Sequence, residues 1–82
     1  MKLPRDLDAE KLVTMLAKLG YQTSNTTGSH IRLTTRRSGE HHVTIPRHSP
    51  LKVGTVNAIL RDIERHFSMS REELVETIFK TR

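Results

Sequence analysis

Apolar residues along this 82-residue chain follow two rhythms, and the change between them divides the sequence. Leu12, Met15, Leu16 and Leu19 recur at the i, i+3, i+4, i+7 spacing of one helical face. Asp8 stands where an N-cap belongs, with Leu7 and Leu12 at the two positions of a hydrophobic staple. Gly20 follows the last apolar residue as a left-handed stop. The pattern predicts a first helix over residues 8–19.

Between residues 21 and 46 the period becomes two. "YQTSNT" reads as a polar strand, "GS" as a turn, and "HIRLTTR" as a second strand with Ile31 and Leu33 on one side. His30, Arg32 and Thr34 then share the other side. After "RSG", the strand "EHHVTIP" sets Val43 and Ile45 against His42 and Thr44 in the same way. The apolar pairs of both strands must lie on one face, which restricts the register. A loop of Arg37, Ser38 and Gly39, with the glycine in a left-handed bulge position, satisfies that condition. It sets Arg32 opposite Thr44, Thr34 opposite His42, and His30 beside Pro46.

Helical spacing returns with Val56, Ile59, Leu60, Ile63 and Phe67, entered through Thr55 as cap. Ser70 and Glu73 form a capping box ahead of Leu74, Val75, Ile78 and Phe79, a short third helix. No internal repeat, linker or low-complexity tract interrupts the chain, so residues 1–82 are expected to form one domain. The predicted class is α+β: a three-stranded antiparallel sheet with helices packed on one face, in the order α-β-β-β-α plus a short C-terminal helix.

Composition narrows the function. Leu, Ile, Val and Phe contribute 21 residues, enough for a small core but not for a deep enclosed pocket. The absence of cysteine removes disulfides and thiolate metal sites. With no signal-peptide h-region in "MKLPRDLD" and no apolar run near the length of a span, a cytoplasmic protein without a membrane partner is expected. The net charge of +5 is concentrated in residues 11–61, where eight basic residues face one acid, Glu40. Such a field attracts polyanions.

Five histidines raise the question of a metal. His41 and His42 are adjacent in a strand and point to opposite faces, so they do not chelate together. A zinc site would have to draw on His30, His42 and His48 across the sheet, with no ligand-spacing motif behind it, and no metal is expected. His66, beside the second-helix seam, reads as a partly buried surface residue. His30 differs: it follows a Gly-Ser turn, lies on the uncovered sheet face, and has Arg32 two residues along. An imidazole beside fixed cations suits proton transfer at a phosphate. RNA needs no metal for such a cleavage, because its 2′-OH is an internal nucleophile. The same face would equally serve to bind RNA without cleaving it.

The run "KLPRDLDAEKLVTMLAKLGY", "GSHIRL", "VTIPRH" and "LKVGTVNAIL" resembles the HicA toxins of bacterial and archaeal HicA/HicB toxin-antitoxin pairs, over residues 2–74. Its signatures are Gly28-Ser29-His30, Pro46 with His48 two residues later, and Gly54-Thr55 opening a helix that carries Ile59-Leu60. The resemblance implies a double-stranded-RNA-binding-domain-like fold and an mRNA interferase whose catalytic residue is His30. It also implies a HicB-like antitoxin that covers the site, no required cofactor or metal, and contact with operator DNA only through the antitoxin. One departure stands out: Asn25-Thr26-Thr27 precede the Gly-Ser-His, where the family usually has a basic residue.

The resulting expectation is a ribonuclease toxin in which His30 acts as general base or acid and Arg32 and Arg47 stabilise phosphate charge. Lys52 is a candidate for substrate binding, Gly28 and Ser29 shape the turn, and the Ser29 hydroxyl orients the imidazole. His42 and His48 both compete for a second proton-transfer role. The competing class is a non-catalytic RNA-binding module on the same face. DNA binding through the second helix is weaker, since its outer residues Asn57, Arg61, Asp62 and Arg65 are mixed in sign.

Overall fold

The computed structural model describes residues 7–48 and 50–79; residues 2–6 of the stretch that carries the family resemblance lie outside the described residues. Helix α1 (Ala9–Leu16) is capped by Asp8, whose carboxylate accepts from the Lys11 backbone N–H at 2.8 Å. Leu7 and Leu12 are both buried, as a staple requires. The helix tightens into a 3₁₀ turn, Ala17–Leu19, and stops at Gly20. Glycine is needed there twice over: φ is +87°, and a Cβ would fall 2.9 Å from Thr35 Oγ1 and 3.0 Å from Arg37 Nε.

Strands β1 (Gln22–Thr26), β2 (His30–Thr35) and β3 (His41–Pro46) form an antiparallel sheet in that order. The β2–β3 register pairs Arg32 with Thr44, Thr34 with His42 and His30 with Pro46, as strand parity predicts. Gly39, at φ +98°, takes the expected left-handed position, and Ser38 joins it at φ +58°. Strand β1 is exposed along its whole length. Its ladder with β2 slips between Thr23 and Asn25, leaving Ser24 as a bulged residue whose hydroxyl donates to the Arg32 carbonyl at 3.2 Å.

Helix α2 spans Val53–Phe67, so its start lies three residues before the one predicted from Thr55 as cap. Lys52 is the cap residue instead. Its backbone is extended, its carbonyl accepts from Val56 N at 3.0 Å, and no side chain satisfies the first N–H groups. Exposed Val53 and Gly54 fill the first turn, where the apolar periodicity used to locate the helix has nothing to report. Ser68 ends the helix in a left-handed conformation, with Met69 N donating to the Glu64 carbonyl at 3.1 Å. Helix α3 (Arg71–Phe79) opens on the predicted capping box: Glu73 N donates to Ser70 Oγ at 3.1 Å and Ser70 N to Glu73 Oε1 at 2.9 Å. Arg71 fastens the two helices by donating to Glu64 and, at 2.8 Å, to Asn57 Oδ1.

All three helices cover one face of the sheet. Leu12 and Leu16 of α1, Val56, Ile59, Leu60 and Ile63 of α2, and Leu74 and Ile78 of α3 close over Ile31, Leu33, Val43 and Ile45. This is an α+β fold of the double-stranded-RNA-binding-domain type, with the opposite sheet face uncovered. At the edge of the core the buried Tyr21 hydroxyl lies 2.7 Å from His41 Nδ1, and His41 Nε2 lies 3.4 Å from Asp62 on α2. Burial, and secondarily the Asp62 carboxylate, raises the Tyr21 phenol above its ordinary value. The His66 ring stacks on His41 with centroids 4.4 Å apart, and its Nε2 lies 2.9 Å from the Arg37 carbonyl. His66 is thus half-buried at the α2 seam and holds the β2–β3 loop.

Candidate functional site

The Gly-Ser-His turn is organised by a residue that precedes it. Thr27 N donates to the His30 carbonyl at 2.9 Å, closing the β1–β2 hairpin around Gly28 and Ser29. In return the Thr27 hydroxyl accepts from His30 N at 3.0 Å and, at 3.4 Å, from Ser29 N. Gly28 has no positive φ, and a Cβ there would meet nothing within 4 Å. The turn therefore does not depend on glycine for its shape. Thr27 supplies that shape, in the position where a basic residue was expected, and a Thr or Ser hydroxyl bonding two or three residues ahead is a known turn signal.

His30 is exposed at the start of β2, and its Nδ1 lies 3.0 Å from Ser29 Oγ. The other ring nitrogen is left to the open face. From the opposite side, Arg47 N donates to the Ser29 carbonyl at 2.8 Å, so the exit of β3 is fastened to the same turn. Ser29 thereby contacts both the imidazole and the neighbouring strand.

The predicted cations do not all gather at His30. Arg32 does share its face, two residues along β2, about 6.7 Å away at strand spacing. Its guanidinium has no hydrogen-bond or ion-pair partner among the described residues. Arg47 lies one residue beyond Pro46, which pairs with His30, and alternation turns it toward α1. There its guanidinium meets Glu10 Oε2 at 3.3 Å. His48 is exposed at the His30 end of the sheet, its N–H donating to the Pro46 carbonyl at 2.9 Å. Lys52 is exposed at the α2 cap, next to Leu51, whose N–H is anchored on the Leu7 carbonyl at 2.7 Å.

His42 and His48 are separated by the same geometry. His42 pairs with Thr34, four residues from His30, which places it about 13 Å down the sheet. It is occupied there: Nδ1 lies 2.7 Å from Thr34 Oγ1 and Nε2 lies 3.2 Å from Glu40 Oε2. A single phosphate cannot touch His30 and His42 together. Nor do the three histidines form a cation site; no group of three or more His, Asp or Glu is placed to hold a metal ion among the described residues.

One face of the sheet is sealed by helices and the other presents a turn-mounted imidazole with Arg32 beside it, which defines a small α+β domain with an open, polar sheet face. The family model described as the HicA toxin of bacterial toxin-antitoxin systems matches residues 9–64, more than half of the chain and all three strands. The chain belongs to this family of toxins, whose members pair with antitoxins. No curated protein and no solved structure matches the chain. No helix among the described residues is long and apolar enough to cross a membrane.

Proposed function

We propose that the protein is a metal-independent endoribonuclease that cleaves mRNA and is neutralised by a HicB-like antitoxin covering the open sheet face. The observation that carries this reading is the mounting of His30: exposed, held through its backbone by Thr27 and through Nδ1 by Ser29, with Arg32 alongside. When Nδ1–H donates to Ser29 Oγ, Nε2 carries the lone pair and takes the proton of the RNA 2′-OH. The 2′-oxygen attacks phosphorus, Arg32 balances the charge of the crowded phosphorane, and the 5′-oxygen leaves with a proton. The products are a 2′,3′-cyclic phosphate and a free 5′-OH. His48, at the same end of the sheet, is the candidate donor to the leaving oxygen. Operator DNA would be reached only through the antitoxin.

Purified wild type and His30→Ala, incubated with RNA in EDTA, decide the matter. The expected result is cleavage by wild type to cyclic-phosphate ends, none where the attacking 2′-OH is replaced by hydrogen, and loss of about 10²-fold or more in His30→Ala. Equal cleavage by both proteins would overturn the catalytic assignment, and loss of wild-type activity in EDTA would overturn metal independence. Binding without cleavage would make the protein an RNA-binding module.

A further inference from the structure

A broad depression opens on the protein away from His30. It lies further along the same face, toward the β2–β3 loop, lined by Gln22, Ser24, Arg32, Thr34, Arg36 and His42 among others. Its floor is a connected polar network: the Thr34 hydroxyl donates to Ser24 Oγ at 2.9 Å and meets His42 Nδ1 at 2.7 Å. Glu40 holds the other side of the imidazole at 3.2 Å. The His42 ring is thus fixed at two points while its side chain stays 38% exposed. Arg32 and Arg36 flank it from alternate positions of the same chain segment. Neither guanidinium has a hydrogen-bond or ion-pair partner among the described residues.

We propose that this depression is a second subsite for the RNA strand, about 13 Å from His30, which binds a nucleotide one or two residues away from the scissile phosphate. It deepens the reading of the chain as a ribonuclease and rests on it for the position of the scissile bond. An exposed, oriented imidazole is a stacking platform for a splayed base, and every base has a face to offer. Arg36 supplies the phosphate contact, and Arg32, midway, is shared with the reacting phosphate. The bulge at Ser24 matters here, because it puts a hydroxyl beneath Thr34 and keeps the floor polar.

The test measures binding of a fluorescein-labelled 2′-O-methyl hexaribonucleotide, which cannot be cleaved, against a dinucleotide of the same chemistry. Arg36→Ala should flatten the slope of log affinity against log salt for the hexanucleotide by about 0.7, the value of one single-strand phosphate contact. His42→Ala should weaken the hexanucleotide about 5- to 150-fold, and neither change should follow for the dinucleotide. Both residues are exposed, so thermal melts of the variants should match wild type. Wild-type affinity for the hexanucleotide in both variants, or equal losses for both ligands, would overturn the subsite. Failure of wild type to cleave RNA in the His30 experiment leaves this measurement intact, since no bond is broken in it.

Discussion

Thr27→Val isolates the hydroxyl that mounts His30. Valine keeps the β-branched shape and the strand preference of threonine, so the change removes little besides the oxygen. That oxygen accepts one short bond from His30 N at 3.0 Å and a long one from Ser29 N at 3.4 Å. Only the first has ordinary strength, and both lie in exposed backbone where water competes. The cost to folding is therefore about 0.5–1.5 kcal/mol, which in a domain of this size lowers Tm by roughly 4–8 °C per kcal/mol. The effect on catalysis should be larger than on stability, because a shift of about 1 Å in the imidazole is enough to cost on the order of 10²-fold. Urea denaturation gives the first quantity and cleavage of a fluorogenic RNA the second. Thr27→Ser, which retains the oxygen, should restore activity, and the fall should appear in kcat with KM little changed. Wild-type activity in Thr27→Val, or equal loss in Thr27→Ser, would refute a positioning role for the hydroxyl.

Three further outcomes follow from Tyr21 and two of the glycines. The Tyr21 phenol, ordinarily titrating at 10.0, is raised in the folded protein, so its contribution is full below pH 10 and is lost as pH rises through 10 toward the folded value. Urea denaturation in alkaline buffers should show that decline in wild type and a flatter curve in Tyr21→Phe, with about 1–3 kcal/mol lost at neutral pH because His41 Nδ1 forfeits its partner; parallel curves would contradict it. Gly28→Ala should leave Tm unchanged or raise it slightly, since its Cβ meets open space. Gly20→Ala should lower Tm by at least about 4–8 °C, given its left-handed φ and the Thr35 and Arg37 contacts.

Much of this arrangement was legible in the chain because strands obey a two-state rule. Once Ile31, Leu33, Val43 and Ile45 had to share a face, a loop of Arg37, Ser38 and Gly39 left one register, and the structure has it. The same alternation carried one residue past Pro46 would have turned Arg47 away from His30; grouping it with the phosphate-binding residues rested on charge and proximity in sequence alone. Its pairing with Glu10 joins residues 37 apart, which no local pattern reveals. Thr27 was visible only as a missing basic residue, although a threonine ahead of Gly-Ser is itself a turn signal. The bulge at Ser24 left no trace in hydropathy, because every residue of β1 is polar and exposed.

That edge strand also bears on how the protein behaves when crowded. β1 lies at the border of the sheet and has neither charge nor proline in Gln22–Thr26, the usual deterrents to pairing with another chain. A lysine there would protect the edge but would also alter the field over the open sheet face beside it. The slip at Ser24 breaks the even spacing of donors and acceptors that a second copy would need to zip alongside. The pairing edge is thus interrupted by geometry rather than by charge, and the electrostatics of the open face are left unaltered.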